Sequence, residues 1–435
     1  MGTLPSVSLV VVNWNGRQLL ETCLPSIAAL DYPREFRELI VFDNGSVDGS
    51  VEWLARRWPE VRVLGSESNL GFAEACNRAA AASGGEILAL VNNDLRVEPA
   101  WLTRMVEALR STGAVAAGSR ILDWDGLHYD FDGGTMNFYG HGASRRYGCP
   151  YTGDRSSEPT AALFACGAAM IVERERFLAS GGFDPEYFAY FEDVDLGWRL
   201  WVEGERVVYV PGTLAYHRHH GSRLDADRRT RLLERNALAS VMKNYDDANL
   251  AAVLPAALLL IEARACAAGD ARAPIYRDAR SEFLTMLPAL RAKRAVVQAR
   301  RRRADRDVVS LFGEPFRPSC FGRSYWRTQQ EVVRAFGIGR MFGEEEAMAV
   351  PQGMDEFVAE LQGRIEDLER ELASARETLT VADAAHGVEL ARLNAEIDRL
   401  RRELSVRAAA VACPPQAPAA ITRSLGGLWR LVRGR

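Results

Sequence analysis

The sequence contains no C-x-x-C pair. Its seven cysteines, at positions 23, 76, 149, 166, 266, 320 and 413, are odd in number and scattered. Neither a disulfide framework nor a cysteine zinc site is expected, and the thiols are read as reduced, cytoplasmic ones. Basic charge is not in excess either: 54 Lys and Arg stand against 58 Asp and Glu, a net charge of −4, which argues against nucleic acid as a partner. No uninterrupted apolar run approaches the roughly 20 residues that cross a bilayer; the longest, Leu250 to Ile261, is broken by Pro255. Met1 to Pro5 lack the basic and apolar regions of a signal peptide. The expectation is a cytoplasmic protein, or one resting on the inner face of the plasma membrane. At 435 residues the chain exceeds a single compact core, so two or three units are expected.

What is present is a regular alternation. From Val7 to about Val210 the short apolar runs Val7–Val12, Leu39–Phe42, Val61–Leu64, Ile87–Val91 and Val115–Gly118 are separated by stretches of helical spacing. Val- and Ile-rich runs suit strands buried on both faces, and their alternation with helices implies a parallel sheet. The pattern predicts an α/β domain over residues 1–224 with a Rossmann-like, open, mostly parallel sheet. Asp48-Gly49-Ser50 opens a helix over Val51–Trp58, and Pro99 marks the first turn of another. Asp123 to Pro159 lose periodicity and read as a loop-rich insertion, suited to a substrate-facing wall.

A helical extension is expected over residues 225–342 and a linker over 343–353. From Phe357 the apolar positions, through Leu361, Ile365, Leu368 and Leu372 to Leu404, settle into steps of three and four flanked by Glu and Arg. That is a heptad seam, with a stutter at His386-Gly387, and it predicts a homo-oligomerising coiled coil over 354–405; a single helix lying on the body is the plainer alternative. Residues 406–435 are an Ala/Pro-rich linker and a tail that sets Leu425, Leu428, Trp429 and Val432 among arginines. Such a tail either touches anionic lipid or frays as an ordinary terminus.

In open α/β sheets, ligands bind beyond the carboxyl ends of the strands. The segments there are Asn13–Gly16, Asp43–Ser46 and Asn92–Asp94. Asn92-Asn93-Asp94 offers hard oxygen ligands that could hold Mg²⁺ or Mn²⁺ against a diphosphate, although Asn and Asp are also ordinary turn residues. Glu192, Asp193 and Asp195 cluster just before the helical run Leu196–Val202. They could serve only to complement the helix dipole, but the approach Tyr187-Phe188-Ala189-Tyr190-Phe191 would wall a carboxylate into a dry site, the setting of a general base. Three of the six histidines, His217, His219 and His220, stand together before Gly221-Ser222; they are metal-ligand candidates or a surface cluster.

These segments, taken in order, resemble family 2 glycosyltransferases, in particular the bacterial rhamnosyltransferase-like branch. The matching stretches are Val11-Val12-Asn13-Trp14-Asn15-Gly16, Asp43-Asn44-Gly45-Ser46-Val47-Asp48-Gly49-Ser50, Asn69-Leu70-Gly71-Phe72-Ala73 with Asn77, and Leu90-Val91-Asn92-Asn93-Asp94. Gly167-Ala168-Ala169-Met170, Gly182-Phe183-Asp184, Glu192-Asp193 and His217 with Gly221-Ser222 follow. The likeness covers about the first half of the chain, and its ordered motifs are far more specific together than any one alone.

The resemblance implies a GT-A fold and a set of roles. Asp43 would bind the donor's base beside the Val12–Asn15 backbone, with Asn13 and Asn15 in reach. Asp48 would lie near the nucleoside or cap the next helix. Asn69, Gly71 and Asn77 would shape the nucleotide pocket, with Asn92 and Asn93 alongside. Asp94 and His217 would bind the metal, Asp193 would deprotonate the acceptor hydroxyl, and Glu192 would stand beside it. Asn92 departs from relatives that carry Asp there, which removes a charge from the metal site. The implied reaction is metal-dependent inverting transfer of a sugar from a nucleotide-sugar donor, dTDP-rhamnose or a UDP-sugar, to a saccharide or lipid-linked saccharide in cell-surface glycan synthesis. A nucleotide-dependent oxidoreductase or methyltransferase would want a glycine-rich turn after the first strand, where this chain has Asn13-Trp14-Asn15-Gly16. The other alternative is a nucleotide-sugar-binding scaffold that assembles partners through the coiled coil.

Overall fold

The computed structural model describes residues 4–154, 158–218, 224–316 and 322–343. The expected coiled coil and tail, nearly all of the linker, and the His219–Ser222 stretch lie outside the described residues. The first half alternates as β1 (Val7–Asn13), α1 (Arg17–Ala28), β2 (Arg37–Asp43), α2 (Ser50–Arg57), β3 (Arg62–Gly65), α3 (Phe72–Ala82), β4 (Ile87–Val91), β5 (Leu95–Val97), α4 (Trp101–Thr112) and β6 (Ala116–Asp123). The short strands β7 (Tyr129–Phe131), β8 (Gly134–Met136), β9 (Gly142–Ser144) and β10 (Thr160–Ala161) follow. Next come β11 (Ala169–Glu173), α5 (Arg174–Ala179), α6 (Glu192–Val202) and β12 (Val207–His217). The main sheet runs β10-β12-β6-β11-β4-β1-β2-β3, with β5 paired to β12 and β7 to β6.

The sheet is mixed where a mostly parallel one was expected. β3, β2, β1 and β4 are parallel neighbours. β11 then enters antiparallel between β4 and β6, Met170 facing both Leu90 and Gly118. A buried strand is recognised by composition, and composition carries no direction; sequence order alone would have set β6 beside β4. The helices cover the sheet for ordinary reasons. α4 buries Leu102, Met105, Val106 and Leu109, one stripe at helical spacing, and packs on β6 and β12. α3 turns Ala73, Cys76, Ala79 and Ala80 inward, and these small side chains let it lie close on β1 and β2.

The segment expected to be loop-rich contains β7, β8 and β9 around buried Tyr129, Phe131, Phe138 and Tyr139. Strands of three residues are too short to show a period. The helical extension is α7 (Ala226–Asn244), α8 (Asp247–Ala267), α9 (Ala273–Arg300) and α10 (Gly322–Ala335). α8 extends the apolar run that Pro255 seemed to cut short into 21 residues, long and apolar enough to cross a membrane by length and composition, with just over half of its most apolar window buried in the protein. The described residues divide into two compact units, the first reaching to Leu254 and taking in Asp278–Phe316, the second holding Pro255–Arg277 with residues 322–343. Within the second, the buried Arg264 guanidinium donates to the Tyr325 hydroxyl at 2.8 Å.

A buried ionic cluster joins α7 to the α/β core of the first unit. Lys243, 2% exposed, reaches Asp184 at 2.7 Å and Asp195 at 3.0 Å. Lys293 from α9 also pairs with Asp184, and Arg199 with Asp195 at 2.8 Å. Burial by itself would raise the Asp184 carboxyl; Lys243 and Lys293 outweigh it and hold it well below the usual carboxylate range. A depressed carboxyl contributes stability above its unfolded value, near 3.9, and that contribution is lost as pH falls through this value and below. Lys243→Met should lower unfolding free energy by about 3 kcal/mol at neutral pH, since it strips one partner from each of two buried carboxylates. Urea unfolding followed by tryptophan fluorescence would check this, and the variant's stability should fall less steeply on the acid side.

Candidate active site

The carboxyl edge of the sheet gathers the polar turns. β1 and β2 are in register with Asn13 opposite Asp43. The Asn13 amide donates to Asp43 Oδ2 at 3.3 Å and Ser46 Oγ at 3.2 Å, and its Oδ1 accepts from Asn93 at 2.9 Å. A chain of side-chain hydrogen bonds thus runs along the edge from Asp43 to the Asn92–Asp94 turn. A Cβ on Gly16 would run into the Asn13 and Asn93 side chains, which accounts for glycine there. Asn15 has φ +49°, with its Oδ1 accepting from the Val47 N–H at 2.8 Å.

Several residues expected at a ligand have their polar groups engaged within the protein. Asp48 accepts from the N–H of Arg17 at 2.9 Å and of Ser50 at 3.1 Å, so one carboxylate serves the first residues of α1 and α2. Burial would raise it, but these bonds and that of the Ser50 hydroxyl hold it lower. Asn69 Oδ1 accepts from the Gly71 N–H at 2.9 Å. Asn77 accepts from the Phe183 N–H at 2.9 Å and donates to its carbonyl at 2.7 Å, fixing the chain ahead of Asp184. Sequence reading passed over Asn44 as a site residue. It is 2% exposed, donates to Asn69 and Gly71 O, and accepts from the Leu70 N–H.

Asp94 follows β4, and the pairing of β5 with β12 sets Leu95 opposite His217. His217 Nε2 lies 3.2 Å from Asp94 Oδ1, and its Nδ1 lies 2.7 Å from Asp130 Oδ2. Burial would lower the imidazole, but hydrogen bonds to Asp130 and Asp94 raise it to about 10. Asp130 was not anticipated. It sits on the three-residue β7, 87 positions from its partner, with neither period nor spacing to announce it. Among the described residues, no group of three or more His, Cys, Asp and Glu side chains could by itself hold a metal ion.

The carboxylate cluster separates into two roles. Asp195 is fully buried and spent on Arg199, Lys243 and Asn244. Asp193, at the start of α6, accepts from the Gly167 N–H and from the Val194 N–H, each at 2.8 Å. Glu192 beside it is 6% exposed, and its Oε2 has no hydrogen-bond partner. Burial, chiefly, raises both carboxyls above their usual range, and Asp193 raises Glu192 further. One turn joins this carboxylate to the edge: Gly167 donates to Asp193, while the next residue's carbonyl, Ala168 O, accepts from the Asn92 N–H at 2.9 Å.

The approach to Asp193 is strained. Phe188, Tyr190 and Phe191 have φ of +63°, +71° and +64°, a region that disfavours bulky side chains and marks functional loops. The buried Asn236 amide on α7 holds the loop, lying 3.1, 3.0 and 2.7 Å from the carbonyls of Tyr187, Ala189 and Tyr190. Gly71 (φ +87°) meets the loop from the other side, where a Cβ would stand 2.5 Å from Phe188 O.

Residues 8–178 match the family described as Glycosyl transferase family 2. The chain is 31% identical over 243 residues to the N-acetylglucosaminyl-diphospho-decaprenol L-rhamnosyltransferase of Mycobacterium tuberculosis, an alignment covering 50% of this chain and 78% of that protein. It is 31% identical over 226 residues to the O-antigen biosynthesis protein RfbC of Myxococcus xanthus, covering 50% of this chain and 18% of that one. Among solved structures it is similar to S. aureus TarS in complex with UDP-GlcNAc, with a TM-score of 0.48 and 15% identity over 80% of this chain and 95% of the other. The chain belongs to glycosyl transferase family 2. Within that family it is rhamnosyltransferase-like, as its curated relatives indicate.

Asn236→Ala should relax the strained loop and displace Asp193. Such a loss of preorganisation lowers turnover by about 100-fold. Hydrogen exchange should show faster amide exchange over residues 187–191 in the variant; unchanged exchange there would separate the loop from Asn236.

Proposed function

We propose that the protein is a metal-dependent, inverting glycosyltransferase that moves L-rhamnose from dTDP-L-rhamnose, or a hexose from a UDP-sugar, to a saccharide or lipid-linked saccharide acceptor of the cell surface. The observation that carries this reading is the shared turn, Gly167-Ala168, which sets Asp193 next to the edge bearing Asn13, Asp43 and Asp94. A general base and a nucleotide-diphosphate site then stand side by side.

Asp43, Asn13 and Asn15 face the donor's base and ribose, and Asn69, Gly71 and Asn77 hold the turns around them, with Asn92 and Asn93 at the diphosphate. Asp94 and His217 would hold Mg²⁺ or Mn²⁺, His217 doing so after giving up the proton that its bonds to Asp130 and Asp94 favour. Asp94 Oδ1 and His217 Nε2 stand 3.2 Å apart, so both donors could reach one small cation. Asp130 behind His217 is the carboxylate that commonly orients a metal-binding imidazole. Two protein ligands suffice where substrate phosphates complete the shell. When bound, the cation neutralises the departing nucleoside diphosphate.

Asp193 takes the proton of the acceptor hydroxyl as that oxygen attacks the anomeric carbon from the face opposite the leaving diphosphate. The new glycosidic bond forms as the old one breaks, and configuration inverts. Glu192, driven towards its neutral form, leaves Asp193 as the ionised member of the pair. The scaffold alternative predicts donor binding with neither transfer nor hydrolysis. Assembly through residues 354–405 and lipid contact through 406–435 belong to this proposal as well, and would hold the enzyme near a membrane-bound acceptor.

Asp193→Asn should abolish transfer and leave donor binding, read by thermal stabilisation with Mn²⁺, within about twofold. Normal turnover would remove Asp193 from its role. EDTA should stop the wild-type reaction and Mn²⁺ should restore it. Because the raised Asp193 carboxyl must be ionised to accept a proton, the rate should fall with decreasing pH along a limb centred above the ordinary carboxylate value of about 4. A limb at or below that value would contradict the assignment.

A further inference from the structure

Two arginines stand over the loop that delivers Asp193. Arg228 and Arg229, the third and fourth residues of α7, place their guanidinium carbons 4.8 Å from the Phe188 ring centroid and 5.5 Å from that of Tyr190. Both rings belong to residues with positive φ, so the strain in this loop is also what presents the two aromatic faces. Among the described residues, neither guanidinium has a carboxylate partner. Arg231 and Arg235 of the same helix, by contrast, are both paired with Glu282. The helix dipole opposes cations at this end, where Asp225 already caps the N–H groups of Asp227 and Arg228. Two exposed arginines are therefore held at the approach to the proposed base by ring faces, with their N–H edges unclaimed by acids.

We infer that Arg228 and Arg229 form an acceptor subsite for a phosphate group, so that the preferred acceptor is a saccharide bearing phosphate near the attacking hydroxyl. This rests on the glycosyl-transfer reading with Asp193 as base. Stacked guanidinium groups keep their planar forks available for oxyanions. Two of them match a phosphate, which carries up to two negative charges, better than a carboxylate, which one fork satisfies. The donor's diphosphate is met elsewhere, at Asp94 and His217 on the β5 and β12 side.

The test uses the full chain, wild type and Arg228→Gln/Arg229→Gln, with circular dichroism confirming the fold. Binding is measured by calorimetry for N-acetylglucosamine 1-phosphate, the neutral methyl glycoside of the same sugar, methyl glucuronide and dTDP. Transfer to the first two, and to a prenyl-diphosphate-linked N-acetylglucosamine, is measured alongside. The expected result is at least about tenfold preference for the phosphorylated sugar over the neutral one in the wild type, erased in the variant, with dTDP binding unchanged. A lipid-linked diphosphate that gains further over the sugar phosphate identifies the membrane source; equal use identifies the soluble one, and either supports the subsite. Equal binding of phosphorylated and neutral sugars by the wild type, tighter binding of the glucuronide, or loss of dTDP affinity in the variant would overturn it. Because binding is read apart from turnover, absence of transfer to every acceptor counts against the glycosyltransferase reading alone.

Discussion

The loop from Tyr187 to Phe191 holds three non-glycine residues in the left-handed region, each a conformation that costs about 1–3 kcal/mol. Most of what is distinctive about this protein follows from keeping that loop in place. Asn236 gathers three of its carbonyls, Arg235 reaches the carbonyls of Glu186 and Tyr187, and Gly71 yields the space the loop needs. Below it, Lys243 ties Asp184, just before the loop, to Asp195, just after it. α7 supplies Asn236, Arg235 and Lys243, which is why this helix belongs to the same compact unit as the sheet.

The sheet edge was the most legible part of the sequence. Strands β1, β2 and β4 are long enough and apolar enough to be recognised, so the turns that follow them, with Asn13, Asp43 and Asn92–Asp94, could be placed along one edge from pattern alone. β11 could be found as an apolar run, but its direction and its place between β4 and β6 are set by tertiary hydrogen bonding. Asp130 was invisible for a different reason. A residue on a strand of three has no period, and its significance comes only from a histidine 87 positions away.

The acidic cluster shows where residue type alone misleads. Glu192, Asp193 and Asp195 lie within four positions, yet helical rotation turns Asp195 into the core and leaves Asp193 at the Gly167 turn. Spacing along a helix could have separated the two directions; which one was spent in the core depended on α7, whose cations were not assigned to any carboxylate in advance. The same dependence applies to Asn77, whose amide copies the hydrogen bonding of a strand and steadies Phe183.

The contact between Asp130 and His217 has a bearing on how such proteins could diversify. Residues 123–154 form the segment most open to change, since short strands and turns tolerate replacement better than the sheet does. Yet this segment also supplies the carboxylate that orients His217. The variable surface and the buried imidazole are therefore not separable modules here. A segment grafted into this position from another family member can bring a new surface, but it must return an acid to the same imidazole, and that requirement narrows the set of segments the fold can accept.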